Sequence, residues 1–122
     1  MVATTQPSLK YKELQIMTAS PLQRLLMVYD VAVMGCSQRD LKRTTEALNV
    51  LRNSLDLEQG EPAVQLLSLY QYCADLARQD KFEEAGSILR ELVQAWVQVL
   101  VRETDAVARQ PRPQYANLSL AG

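Results

Sequence analysis

Histidine is absent from this chain of 122 residues, which also has only two cysteines. The missing histidine removes the commonest general base and the commonest metal ligand of proteins. A di-iron site built on Glu-x-x-His pairs cannot form, and two cysteines without histidine make a poor zinc site. A Gly-rich phosphate loop and a G-x-S-x-G nucleophile motif are also missing. The sequence therefore predicts a protein that is not an enzyme and that uses no metal and no cofactor.

The chain also lacks an excess of charge of one sign and long apolar runs. Its formal net charge is −1, which gives no electrostatic reason to expect nucleic acid or anionic lipid as a partner. No run of about 18 or more uncharged apolar residues exists, so membrane insertion is not expected. The start, MVATTQPSLKYKEL, shows no apolar core behind a basic stretch. A cytoplasmic location is expected, with Cys36 and Cys73 as buried apolar fillers in a reducing compartment.

Apolar residues recur every three or four positions, and no useful length alternates with a period of two, which predicts an all-helical protein. Ser20 is placed to cap the first helix, with Pro21 at its first position and Gln23 closing a capping box. The segment DKFE at positions 80–83 predicts a second capping box. The first helix is expected over about 21–35, the second from 41 to about 57, the third from 62, and the fourth from the DKFE segment to about 103.

Short connections between four helices favour an antiparallel up-down four-helix bundle. Such a bundle places the first and third connections at the same end. The predicted organisation is an N-terminal arm at 1–17, the helical bundle at 18–103, and a Pro-interrupted flexible tail at 104–122.

The first predicted helix, within TASPLQRLLMVYDVAVM, is apolar on nearly every side. An ordinary bundle helix needs only one apolar face. One stripe contains Leu22, Leu25, Leu26, Tyr29, Val33 and Cys36, and other directions carry Met27, Val28, Val31 and Met34. Two interpretations stay open: a central helix surrounded by the others and by the arm, or a helix with some surface intended for another chain.

The segment YKELQIMTASPLQRLLMVYDVAV resembles the start of the flagellar export chaperone FliS family. That family has a tyrosine, an aliphatic residue, a Thr/Ser-Ala-Ser-Pro helix start and then a Leu-rich helix with an aromatic-acidic pair. The matching positions are Tyr11, Ile16, the run 18–21, Leu25, Leu26, Tyr29 and Asp30. Three further pieces follow in family order: SLD at 54–56, LYQY at 69–72, and the Ala-Trp pair at 95–96.

The resemblance implies a cytoplasmic chaperone that binds the C-terminal segment of flagellin, prevents premature polymerisation and aids delivery to the export gate. Apolar side chains of this cargo would lie in surface grooves. The residues expected near the cargo surface are Ile16, Met17, Leu22, Leu25, Met27 and Tyr29. Tyr11 is expected to serve the arm in the step at the export gate, and the arm could cover the groove when cargo is absent. Trp96 is expected to pack in the core.

Other interpretations remain open beside this one. The chain could serve another flagellar axial protein, of the filament cap or the hook-filament junction. It could also be a structural bundle that self-associates through its first helix and carries no cargo. The expected oligomeric state is a monomer or a weak homodimer, and the tail at 104–122 is expected to be flexible or to lie on the cargo side.

Overall fold

The computed structural model describes residues 20–109, which form four helices and one short 3-10 turn. Each helix packs against the next one along the chain, and the fourth packs against the first. The predicted all-α antiparallel four-helix bundle is confirmed. The elements are α1 (Pro21–Ser37), α2 (Leu41–Asn53), the 3-10 turn (Leu57–Gln59), α3 (Glu61–Arg78) and α4 (Phe82–Arg109).

The start of α1 has the predicted capping box. The Gln23 backbone N–H donates to Ser20 Oγ at 3.1 Å, and the Ser20 backbone N–H donates to Gln23 Oε1 at 2.9 Å. These two bonds satisfy donors that a helix start leaves without intrahelical partners. Asp40 caps α2 in a similar way, because its Oδ1 accepts the Arg43 backbone N–H at 3.1 Å. Local sequence therefore fixes where both helices begin.

Two predicted helix ends are wrong. α2 ends at Asn53 rather than near residue 57, because the Ser54 hydroxyl bonds the Leu51 carbonyl and Asp56 Oδ1 accepts the Glu58 backbone N–H. Such local bonds compete with helix continuation. α4 continues to Arg109, beyond the predicted end near residue 103. No glycine or proline stands between Gly86 and Pro111 to interrupt it.

The predicted capping box at 80–83 is also wrong. α4 begins at Phe82, and the Lys81 carbonyl accepts its first intrahelical bond, from the Ala85 N–H at 3.2 Å. Asp80 has a φ of 65°, which turns the chain between α3 and α4. Its carboxylate faces Arg39, with 2.6 Å between Oδ2 and Nη2. Asp80 therefore joins two connections and does not cap a helix.

The α1–α2 and α3–α4 connections lie together at one end of the bundle, as the up-down topology requires. Arg39 from the first connection pairs with Asp80 and, at 3.4 Å, with Glu83. Its guanidinium also lies 5.2 Å from the centroid of the Phe82 ring. The opposite end, where α1 begins and α2 ends, has a different construction, described below.

The core is a single cluster of buried apolar side chains from all four helices. Its largest fully buried members are Tyr29, Leu51, Tyr70, Cys73 and Leu89. Cys36 and Cys73 are both buried and unbridged, as the sequence predicted. Among residues 20–109, no helix combines the length and the apolar character needed to cross a membrane. The same residues contain no cluster of acidic or cysteine side chains able to hold a metal ion.

Candidate functional site

An apolar pocket of about 500 Å³, here called the end pocket, opens where α1 begins and α2 ends. Side chains from α1, α3, α4 and the α2–α3 connection form its walls. Its apolar lining consists of Pro21, Leu22, Leu25, Leu55, Pro62, Ala63, Leu66, Tyr70 and Trp96. Its polar lining consists of Ser54, Asp56 and Gln59, of which only Asp56 carries a charge. The pocket therefore suits apolar side chains of a partner.

The unequal lengths of the helices create the end pocket. α2 has 13 residues and α4 has 28, so α2 stops while its neighbours continue. The chain then makes the 3-10 turn and enters α3 through Gly60, whose φ of 90° and ψ of −150° suit glycine almost alone. Among residues 20–109, this connection alone borders the gap left by the missing turns of α2. Within the described part of the chain, apolar side chains of α1, α3 and α4 consequently line an opening there.

A hydrogen-bonded aromatic network lies beneath the end pocket. The Tyr29 and Tyr70 hydroxyl oxygens are 2.5 Å apart, and Trp96 Nε1–H donates to the Tyr29 hydroxyl at 3.0 Å. The two tyrosine rings pack edge to face, with centroids 6.1 Å apart. Tyr29 comes from α1, Tyr70 from α3 and Trp96 from α4. The network therefore holds three helices in register and positions Trp96, which is half-buried, at the pocket wall.

Burial disfavours the charged forms of the buried tyrosines and cysteines of the core. It raises the pKa of Tyr29, although the bonds from Tyr70 and Trp96 act in the opposite direction. Burial also raises the pKa of Tyr70, as does its bond to Tyr29. The pKa of the Cys73 thiol rises from 9.0 to about 12 for the same reason, and the pKa of Cys36 is raised as well. The tyrosine hydroxyls beneath the end pocket are therefore uncharged at neutral pH.

These pKa values predict a loss of stability in alkali. The Cys73 thiol loses its proton at lower pH in the unfolded chain than in the folded one, because its pKa is raised on folding. Its contribution to the free energy of unfolding is therefore complete below pH 9 and is lost as the pH rises toward 12. Each pH unit in that window should cost about 1.4 kcal/mol from Cys73. Urea unfolding at several pH values would measure the slope. The variant Cys73→Ala should show a shallower decline, and an unchanged slope would contradict the assignment.

A second opening, here called the α1–α2 groove, has a volume of about 560 Å³. Its apolar lining is Met27, Val28, Val31, Ala47 and Val50, and its charged lining is Arg24, Arg43 and Glu46. Val31 is 40% exposed and Val50 is 52% exposed. The two helices that border the groove approach each other closely where Gly35 of α1 meets Thr44 of α2. A Cβ added at Gly35 would stand only 2.9 Å from the Thr44 backbone nitrogen.

The structure separates the residues predicted to lie near a binding surface. Leu22 and Leu25 share the end pocket, whereas Met27 lines the α1–α2 groove. Tyr29 is 0% exposed and is a core residue of the aromatic network, so it lies beneath the end pocket and not in its lining. Ile16, Met17 and Tyr11 lie outside the described residues.

Sequence reasoning missed the part of the site that follows α2. Leu55, Pro62 and Leu66 line the end pocket, but the second helix was expected to continue through Leu55. The local signal was the serine and aspartate that flank Leu55, since both residue types favour helix ends and turns. Trp96 is correctly predicted to pack against the core, and it also forms part of the pocket wall.

The presence of apolar residues on nearly every side of α1 now has a physical explanation. One side of the helix supplies the core with Tyr29, Ala32 and Cys36. Its first turns contribute Leu22 and Leu25 to the end pocket, and another side faces the α1–α2 groove. Val31 and Met34 stay exposed. α1 therefore divides its apolar side chains between the core and the surface.

A family model described as Flagellar protein FliS matches residues 4–103. The match includes the segment before α1 and all of α1, α2 and α3, together with most of α4. It therefore covers well over half of the chain. No curated protein and no solved structure matches the chain.

Proposed function

The chain belongs to the FliS family of flagellar proteins, and we propose that it binds the C-terminal segment of flagellin in the cytoplasm. Membership of this family implies a flagellar export chaperone, which is not an enzyme. In the proposed role the chain occupies the surface through which flagellin subunits would otherwise associate. It then helps to present the subunit to a component of the export gate.

The end pocket is the observation that carries this proposal. It is apolar, about 500 Å³ in volume, and bordered by two residues of the family-like helix start, Leu22 and Leu25. Helical partners commonly place apolar side chains in such grooves. Burying one leucine or isoleucine side chain contributes about 1.5–3 kcal/mol. A few such anchors would give micromolar binding, which corresponds to about 8 kcal/mol, after the costs of association are met.

The N-terminal arm is proposed to compete with cargo for the end pocket. The arm joins the bundle at Ser20, directly beside the pocket residues Pro21 and Leu22. Ile16 and Met17 precede Ser20 by four and three positions, so an extended chain of about 3.3–3.6 Å per residue can bring them to the pocket. Cargo would then displace an intramolecular occupant of similar apolar character, and the freed arm with Tyr11 would become accessible to the gate.

Calorimetry with a peptide from the flagellin C-terminus tests the function. We expect the full chain to bind it, with the variant Leu22→Asp weakening the affinity at least tenfold. Leu22 suits this test because it lines the pocket without belonging to the packed core. The double variant Ile16→Glu/Met17→Glu should bind more tightly than the unchanged chain, since a charged arm competes poorly for an apolar pocket.

The matched control is Val101→Asp, an exposed apolar position on α4 outside both openings. The fluorescence of Trp96, the chain's single tryptophan, should change on binding because this side chain forms part of the pocket wall. Absence of heat well above micromolar concentration, from a chain with normal helical circular dichroism, would contradict flagellin binding. Peptides from filament-cap and junction proteins, tested in parallel, would then identify another axial cargo.

A further inference from the structure

The last helix ends at the same end of the bundle as the end pocket. α4 begins beside the Arg39–Asp80 pair and packs antiparallel to α1. It therefore passes the pocket, where Trp96 forms part of the wall, and continues beyond it. Arg109, its last residue, lies 13 positions after Trp96, which corresponds to about 20 Å of helix. The chain that follows α4 consequently starts about 20 Å from the pocket wall.

This following chain is long enough to return to the end pocket. Residues 110–122, here called the post-α4 segment, read QPRPQYANLSLAG. Leu118 and Leu120 follow Arg109 by nine and eleven positions, which allows about 30 and 36 Å of extended chain. Both lengths exceed the distance back to Trp96. The two leucines can therefore reach the pocket, with residues to spare for the reversal of chain direction.

The spacing of the two leucines suits a single apolar opening. Only Ser119 separates Leu118 from Leu120. Alternate residues of an extended chain point to the same side, so both leucine side chains can enter the pocket together. Asn117 and Ser119 would then face away from it. The lining that receives the leucines is mostly apolar, with side chains from α1, α3 and α4.

Charge and backbone restriction favour the same arrangement. Arg112 is the only charged side chain of the post-α4 segment, and Asp56 is the only charged side chain of the pocket lining. Charges of opposite sign favour association of the two surfaces. Pro111 and Pro113 stand on either side of Arg112 and disfavour helix in this stretch. An extended segment therefore loses less conformational freedom when it binds.

We propose that Leu118 and Leu120 occupy the end pocket when cargo is absent, and that cargo must displace them. The inference rests on the proposed function, because it concerns regulation of the same site. A short tether holds its segment at an effective concentration of about 1 mM, so even a contact with a millimolar dissociation constant fills the pocket about half of the time. Cargo affinity would then fall about twofold, in proportion to the open fraction.

Substitution of both leucines in the full chain tests the docking without any ligand. Trp96 is the single tryptophan and forms part of the pocket wall, so acrylamide should quench its fluorescence more strongly when the pocket is empty. We expect Leu118→Asp/Leu120→Asp to raise the quenching constant about 1.5- to 2-fold, as a half-filled pocket empties. The matched control Asn117→Asp/Ser119→Asp adds the same two negative charges on the other side of an extended segment. It should leave the constant unchanged.

The variant Leu22→Asp shows whether the end pocket is the site of docking. In that background the leucine substitutions should no longer alter quenching, because an aspartate in the lining already disfavours apolar side chains. Equal quenching of the leucine variant and its control would overturn the proposal, as would an effect that persists in full with Leu22→Asp. An effect that disappears on dilution would place the segment in the pocket of a second copy, which also contradicts the proposal.

Calorimetry with the flagellin peptide separates this inference from the proposed function. Leu118→Asp/Leu120→Asp should bind the peptide about twofold more tightly than Asn117→Asp/Ser119→Asp. Changed quenching with unchanged peptide affinity would overturn the competition. Peptide binding that is equal in all variants, beside unchanged quenching, would keep the cargo function and reject the docked segment. Changed quenching beside a peptide that no variant binds would uphold the docked segment and reject flagellin as the cargo.

Discussion

Gly35→Ala is expected to lower the free energy of unfolding by about 2 kcal/mol, although alanine forms helices better than glycine. A Cβ at this position would stand 2.5 Å from Thr44 Oγ1 and 2.9 Å from the Thr44 backbone nitrogen. The hydroxyl could rotate at the loss of its 2.8 Å bond to the Asp40 carbonyl, but the nitrogen moves only if α2 moves. Overpacking of this kind costs about 3 kcal/mol at the upper end, and helix preference returns about 1 kcal/mol.

Gly86→Ala is the matched control for Gly35→Ala. Its added Cβ would meet Cys36 Cβ at 3.3 Å and otherwise the flexible end of the Arg90 side chain. We expect a change within about 1 kcal/mol, because the helix preference offsets a mild contact. Urea unfolding measures both variants. The double variant Gly35→Ala/Thr44→Ala should recover only part of the loss, since the backbone contact remains. Full recovery would show that the hydroxyl alone sets the helix separation.

Helix positions followed from the sequence where a local pattern decides them. The recurrence of apolar residues every three or four positions and the Ser20–Gln23 capping pair both depend on residues within one or two helical turns. The structure contains the predicted helices and the predicted capping box. Asp80 behaved differently because its carboxylate pairs with Arg39, a residue 41 positions earlier in the chain. A capping pattern read along the chain cannot include such a distant partner.

The candidate site was harder to predict because it depends on where helices stop relative to one another. The end pocket exists because α2 ends at Asn53 while α4 continues, and this end was expected later. The stripe on α1 correctly grouped Leu22, Leu25 and Tyr29 on one side. Spacing alone could not separate the pocket residues from Tyr29, since its burial depends on Tyr70 and Trp96 from other helices.

Tyr29→Phe is expected to lower the free energy of unfolding by about 2 kcal/mol while removing a single oxygen atom. The change deprives Trp96 Nε1–H of its acceptor and leaves the Tyr70 hydroxyl without its 2.5 Å partner. An unpaired buried polar group costs about 1–3 kcal/mol. Tyr70 is almost fully buried, so its hydroxyl cannot turn freely to water. Tyr72→Phe, at an exposed position two residues further along α3, should leave stability nearly unchanged.

A double-mutant cycle with Tyr70→Phe separates the bond from the packing. If the two hydroxyls stabilise the bundle as a pair, the double variant should lose less than the sum of the single losses, because no tyrosine hydroxyl is then left unpaired. Strict additivity would contradict the network. Tyr29 accepts the hydrogen bond that positions Trp96 in the wall of the end pocket. We therefore expect Tyr29→Phe also to weaken flagellin peptide binding, although Tyr29 itself does not line the pocket. The core would then determine the shape of the proposed cargo site, which explains why a tyrosine in the family-like helix start lies beneath the pocket rather than on it.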